Sequence, residues 1–290
     1  MLGRALVRQQ ALHWLTMAAS AHRSTDRFER ALSSVDISSS PRVQLVYPAR
    51  AADMSIGGTI TASILEGTSV AVLDSSFNPP TCAHMHMLRT VAERFGASHR
   101  LLLLATQNAD KPVVGASLVQ RLQMMELLAR AEVGESTLCG ITAHPLFVDK
   151  AMALRRLYGD GATIYLLVGF DTWERIVNPK YYPAGGRDAA MMRLFKQVEI
   201  VVTSRDPRSV STMRELSLAA QEEMVLSSVP QDVSLGRLHF VVNDATMATL
   251  SSSKARGALA ANDLSTAREV LPECLHEFIV ANRLYHEACT

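Results

Sequence analysis

Ser69-Val70-Ala71-Val72-Leu73-Asp74-Ser75-Ser76-Phe77-Asn78-Pro79-Pro80-Thr81-Cys82-Ala83-His84 is the stretch around which the chain is organised. Ser69–Leu73 reads as a strand apolar enough to be buried on both faces. A turn of small and hydrogen-bonding residues with two prolines follows, and then Met85–Phe95, which predicts a helix. A strand that meets a helix start through such a turn leaves backbone N–H groups around one concavity, a cradle suited to phosphate. Thr81 is placed to cap the helix, and His84 falls in its first turn, where the ring can donate to a phosphoryl oxygen. An ordinary Pro-containing turn with a capping threonine is the plainer reading of the same residues. His86 should face elsewhere and is read as packing or surface.

Outward from this stretch, short apolar runs alternate with amphipathic ones. Arg100–Ala105 carries four consecutive leucines, and Ser117–Ala131 places Leu118, Leu122, Met125 and Leu128 on one helical face. Leu138–Ala143, Thr163–Val168, Val198–Thr203 and Leu238–Val242 read as further strands, Lys150–Tyr158 as a helix, and two helices close the chain. This pattern predicts an α/β fold, a doubly wound, Rossmann-like parallel sheet covered on both faces, with ligands beyond the carboxyl ends of the strands. Residues 1–68 read as an N-terminal accessory segment: a helix near Arg27–Leu32, a strand at Val43–Val46 and a small-residue linker ending about Gly67. Residues 69–290 form the main domain. Within it, Arg208–Gly236 looks like an insertion with one helix and has no functional reading.

Composition limits the partners. The chain has 290 residues, with 29 Lys+Arg against 28 Asp+Glu. That balance gives no reason to expect nucleic acid or an anionic membrane, so any anion site is local. No apolar run reaches the ~18 residues of a membrane span. Cys82, Cys139, Cys274 and Cys289 stand far apart without a CxxC pair, so neither a metal-ligand set nor a disulfide framework is expected. They read as reduced thiols in an intracellular protein, cytoplasmic or nuclear. Arg4, Arg8 and Arg23 precede the first acidic residue, Asp26, on an Ala/Leu-rich stretch. This is either an ordinary N-terminal helix or an amphipathic transit peptide, which makes a mitochondrial location the alternative.

Leu250-Ser251-Ser252-Ser253-Lys254-Ala255-Arg256 is a second candidate anion site. Three hydroxyls at a helix start offer caps and free donors, and one turn brings Arg256 onto the side of Ser253. A capped helix with a solvated arginine is the plain alternative.

At these two places the sequence resembles a known superfamily. SSFNPPTCAH is similar to the phosphate-binding motif of the nucleotidylyltransferases, GTFxPxHxGH in its commonest form. The form with Asn before Pro and Thr in place of the first His resembles the eukaryotic nicotinamide mononucleotide adenylyltransferases. Ser76, Phe77, Asn78, Pro79, Thr81 and His84 match position by position. Ser75 departs, standing where the family usually has glycine; a family backbone with positive φ there would strain it. LSSSKAR resembles the ISSTxxR motif that binds the β- and γ-phosphates of ATP, with Ser253 in place of Thr, and the two motifs occur in family order. Gly169-Phe170-Asp171-Thr172-Trp173 resembles the GxDxxxxF region that holds adenosine. Val201–Arg205 resembles VxTR, with Ser204 inserted. Lys111 stands where relatives place a lysine near the substrate phosphate, and a surface lysine is its other reading. The resemblance covers about Ser69 to Tyr285.

The resemblance implies a nucleotidylyltransferase-type fold and an ATP-dependent adenylyltransferase whose acceptor is nicotinamide mononucleotide and whose product is NAD. Its ATP site would comprise Ser75, Ser76, Phe77, Asn78, Thr81, His84, Gly169, Asp171, Ser252, Ser253, Lys254 and Arg256, with His84 and Arg256 catalytic. Lys111, Trp173 and Arg205 would contact the acceptor, although capping for Asp171 and core filling for Trp173 stay open. Arg175, Lys180, Tyr181 and Tyr182 add charge and aromatics nearby. Mg²⁺ would accompany ATP. The alternatives are a same-fold transferase with another phosphate acceptor, or a nucleotide-binding or ATP-hydrolysing regulatory protein on a degenerate scaffold. A homo-oligomer is left open.

Overall fold

Val70, Ala71, Val72 and Leu73 are all buried, and their alternation divides the molecule. Val70 and Val72 belong to one hydrophobic core and Ala71 and Leu73 to the other. The four leucines of the next strand divide likewise, Leu102 and Leu104 against Leu101 and Leu103. Side chains of a strand point alternately to opposite faces, so such continuous apolar strands require cover on both sides.

The computed structural model describes residues 25–35, 42–48, 67–107, 115–132, 137–206 and 216–286. Lys111, Cys289 and the arginine-bearing start of the chain lie outside the described residues. In order, the described strands and α-helices are helix α1 (25–34), β1 (Gln44–Tyr47), β2 (Ser69–Asp74), α2 (Cys82–Phe95), β3 (His99–Ala105), α3 (Leu118–Ala131) and β4 (Thr137–Thr142). Then come α4 (Phe147–Tyr158), β5 (Thr163–Gly169), α5 (Phe170–Ile176), α6 (Arg187–Gln197), β6 (Glu199–Thr203), α7 (Leu218–Ser227) and α8 (Gln231–Ser234). Strand β7 (Leu238–Val241) and helices α9 (Ser252–Ala260), α10 (Leu264–Val270) and α11 (Glu273–Ala281) complete them. The sheet order is β1-β4-β3-β2-β5-β6-β7. All neighbours are parallel except β1, which pairs antiparallel with β4. From β2 the chain winds outward through β3 and β4, then returns to place β5 on the other side of β2. The β2–β5 seam is therefore the topological switch point, where a crevice opens beyond the carboxyl ends.

Three helices close the chain where two were expected. Asp263 caps α10 by accepting from the Thr266 N–H at 3.1 Å, and Pro272 precedes α11, so the helical run is interrupted twice. Described residues on either side of the expected boundary at 68 are in contact. Phe28 and Ala31 lie in the core shared with α2 and α3, Arg27 pairs with Glu126 at 2.7 Å, and β1 is an edge strand of the main sheet. No helix among the described residues is long and apolar enough to cross a membrane.

Candidate functional site

Strand parity distributes the polar residues at the end of β2. Asp74 continues the face of Val70 and Val72, whereas Ser75 continues that of Ala71 and Leu73. The Ser75 N–H donates to the Leu103 carbonyl at 3.2 Å, prolonging the strand by one residue. Strain was expected at Ser75 if the family backbone demanded positive φ; the positive value (φ 44) falls instead on Phe77. That conformation is unfavourable for a non-glycine residue. Phe77 is held in it by full burial, with its ring centroid 5.4 Å from that of His84.

The two separate motifs meet at this turn. The Asn78 carbonyl accepts from Arg256 Nη1 at 2.6 Å, and the Pro79 carbonyl from Ser252 Oγ at 2.8 Å. Arg256 Nη2 also donates to Ser253 Oγ at 3.1 Å. The Asn78 side chain is fixed in turn, its Oδ1 accepting from Tyr285 Oη at 2.9 Å and from the Ala116 N–H at 3.2 Å. Gly115 (φ +83) lies so close that a Cβ there would stand 2.9 Å from the Asn78 amide. Buried Arg121 donates to the carbonyls of Ser76 at 3.2 Å and Ala116 at 2.9 Å. Burial and the nearby Arg256 both pull its pKa down. Ser251 caps α9, accepting from the Lys254 N–H at 3.1 Å, and the Lys254 side chain is exposed.

His84 is oriented by its own helix start. The Thr81 N–H donates to Nδ1 at 2.9 Å. A backbone amide can only donate, so Nδ1 carries the lone pair and the proton sits on Nε2. Nε2 lies 3.0 Å from Ser75 Oγ, on the side of the turn. Desolvation lowers the His84 pKa to about 4, which keeps the ring neutral at physiological pH and leaves Nε2–H a fixed donor.

Two cavities flank this junction, both bordered by Thr172 and Arg175 of α5. The larger, of about 330 Å³, is lined by Asp74, Ser76, Phe147, Lys150, Tyr181 and Tyr182 among others. The smaller, of about 240 Å³, has Gly169, Asp171, Ser204, Arg205, Asn243 and Met87 in its walls. A Cβ on Gly169 would meet nothing within 4 Å, so the residue borders open space. Asp171 and Arg205 form an ion pair, and Arg205 Nε is buried without a hydrogen-bond partner among the described residues. Gln221 of α7 fixes the Arg205 main chain, accepting from its N–H at 3.0 Å and donating to its carbonyl at 3.2 Å.

The structure thus brings together Ser75, Ser76, Phe77, Asn78, Thr81, His84, Ser252, Ser253 and Arg256, with Gly169, Asp171 and Arg205 at the adjoining cavity. Trp173, expected against the acceptor, stands apart. It is 1 % exposed, its indole N–H donates to Ser228 Oγ at 3.0 Å, and its ring meets Phe195 edge-on. The first and fourth residues of a short helix point in different directions from the second and third, so Trp173 falls on the core face while Thr172 borders the cavities. Phe147, Tyr181 and Tyr182 are the aromatic walls instead. Reading the sequence missed Lys150 and Asp74. A signal existed for both: Lys150 stands four residues before Leu154 on the buried stripe of α4, and Asp74 shares strand parity with Val70 and Val72. Gln221 and Tyr285 carried no such signal.

The Cytidylyltransferase-like family model matches residues 72–258. A candidate nicotinamide mononucleotide adenylyltransferase from Schizosaccharomyces pombe is 33% identical over 209 residues, covering 70% of this chain and 81% of that protein. Among solved structures, Plasmodium falciparum nicotinic acid mononucleotide adenylyltransferase complexed with NaAD has a TM-score of 0.57 at 14% identity, covering 77% of this chain and 100% of that one. The same enzyme complexed with APC gives 0.55 at equal identity and coverage. At that identity these two likenesses bear on the fold alone. The family match and the fungal relative go further, and with both motifs joined in one site the chain belongs to the nicotinamide mononucleotide adenylyltransferase family.

Proposed function

We propose that the chain transfers the adenylyl group of ATP to the phosphate of nicotinamide mononucleotide, forming NAD and pyrophosphate. The observation that carries this reading is the junction of the two phosphate-binding motifs, Arg256 on Asn78 O and Ser252 on Pro79 O, beside the neutral His84 donor. An acceptor phosphate oxygen attacks the α-phosphorus in line, and the bond to the β-phosphate oxygen breaks. No covalent nucleophile is needed, only alignment and neutralisation of charge. His84 Nε2–H donates to an α-phosphate oxygen in place of its contact with Ser75. Ser252, Ser253 and Arg256 hold the departing pyrophosphate, with the exposed Lys254 on the same helix start. Adenosine occupies the cavity of Gly169 and Asp171, where Arg205 also stands rather than beside the acceptor as the resemblance implied, and the acceptor takes the larger one. ATP arrives as its Mg²⁺ complex, whose ligands come from phosphate oxygens and water. Three described cysteines, Cys82, Cys139 and Cys274, are free thiols, in keeping with work in a reducing intracellular compartment.

The test is NAD formation by the purified chain given ATP, Mg²⁺ and nicotinamide mononucleotide, with His84→Ala beside it. Removing one such donor lowers kcat by about 10²–10³. Product from the parent chain and near-loss in the variant support the reading. ATP binding without NAD, or a variant of undiminished rate, refutes the reaction or the role of His84 respectively.

A further inference from the structure

The floor of the larger cavity holds an ion pair that the transfer chemistry leaves unused. Lys150 Nζ donates to Asp74 Oδ2 at 2.6 Å, and the two side chains are only 4% and 8% exposed. Both residues line the cavity, and Lys150 Nζ also lies 4.5 Å from the centre of the Phe147 ring. Asp74 Oδ1 is buried and has no hydrogen-bond partner among the described residues. A buried pair of this kind is weakly motivated by stability, because apolar residues of similar volume serve as well. A buried acceptor without a donor is unfavourable in its own right. The cavity floor thus holds a buried acceptor whose donor is not among the described residues.

The chemistry of the pair defines that group. One of the three ammonium protons of Lys150 is committed to Oδ2, so a charged donor with capacity to spare stands beside a free carboxylate oxygen. A primary carboxamide matches both: its NH₂ donates to Asp74 Oδ1, and its oxygen accepts from Lys150 Nζ. A carboxylate in its place satisfies Lys150 only, offers Oδ1 no proton and meets the Asp74 charge at close range. Phe147, Tyr181 and Tyr182 in the same walls suit a flat aromatic ring bearing that group.

We infer that Asp74 and Lys150 determine acceptor specificity, selecting the carboxamide-bearing mononucleotide over its carboxylate counterpart. This rests on the adenylyl-transfer reading above and adds the discrimination between nicotinamide and nicotinate mononucleotide. Strand parity separates the two tasks, with Ser75 facing His84 and Asp74 facing α4.

The experiment compares initial rates with ATP, Mg²⁺ and either mononucleotide for the parent chain, Asp74→Asn and Lys150→Gln, with thermal melts of each. The parent should favour the amide in kcat/KM by about tenfold or more, the range of one charged hydrogen bond. Asp74→Asn, which can donate as well as accept, should narrow that preference by about tenfold through a lower KM for the acid and a higher one for the amide. Lys150→Gln should weaken both acceptors. A loss of folding alone lowers both rates together and leaves the ratio fixed, so the ratio is the readout. Asp74→Ser serves the same comparison if the asparagine variant does not fold. A parent that prefers the acid, or a ratio unmoved by substitution at Asp74 while NAD still forms, overturns the inference and leaves adenylyl transfer intact. No product from either acceptor overturns adenylyl transfer, and this selectivity with it.

Discussion

The protonation state of His84 can be measured through the stability of the whole protein. Its pKa is lowered from 6.5 to about 4 in the folded chain by desolvation, and the Thr81 N–H occupies Nδ1. As pH falls through 6.5, the unfolded chain takes up a proton at this residue and the folded chain does not. The unfolded state binds more protons, so stability is full above pH 6.5 and declines as pH falls towards 4. At about 1.4 kcal/mol per pH unit, the displacement corresponds to up to about 3 kcal/mol lost across that window. Other groups titrate there too, so the reference is His84→Gln. Glutamine at this position keeps a side-chain acceptor for the N-cap N–H, as in a capping box, but carries no titrating proton. Urea unfolding of both proteins at half-unit steps from pH 7.5 to 4 should show the parent losing up to about 3 kcal/mol relative to the variant. A difference between the two that stays flat across the window would refute the reasoning. The folded ring would then accept a proton as readily as the unfolded one, which a lone pair engaged by a backbone N–H in a partly buried ring does not.

Two further outcomes follow from the geometry. Arg256→Lys keeps the charge but cannot bridge Asn78 O and Ser253 Oγ as the guanidinium does. It should lower kcat/KM by about 10²-fold or more, with Arg256→Ala losing about 10³–10⁵ in steady-state assays; a lysine variant at the parent rate contradicts the bridging role. Trp173→Phe removes the donor to Ser228 Oγ and shrinks a fully buried side chain. It should cost about 1–3 kcal/mol in denaturant unfolding while the acceptor KM stays within about twofold. A KM raised by about tenfold would return Trp173 to the acceptor site.

The fold was legible because its strands are short and apolar on both faces. Val70–Leu73 and Leu101–Leu104 serve two cores at once, and a sheet covered on both faces buries all their side chains. Both candidate phosphate-binding turns were legible for a related reason: each is local, a strand end or helix start whose donors and caps lie within a few residues. His84 touches Thr81 three positions before it and Ser75 nine positions before it. The integration of residues 25–35 and 42–48 was not legible, since one short helix and one short strand have no pattern that distinguishes an appendage from an edge of the sheet. Only tertiary structure brought Arg256 to Asn78, across 178 positions, and Lys150 to Asp74, across 76. It also turned Trp173 into the core and put Gln221, from a stretch without a functional reading, behind Arg205. The sequence determines locally where backbone donors gather, because hydrogen bonding and side-chain periodicity act over a turn or a strand. Which distant charge completes a cavity depends on strand order and helix crossing, and those exist only once the whole sheet has formed.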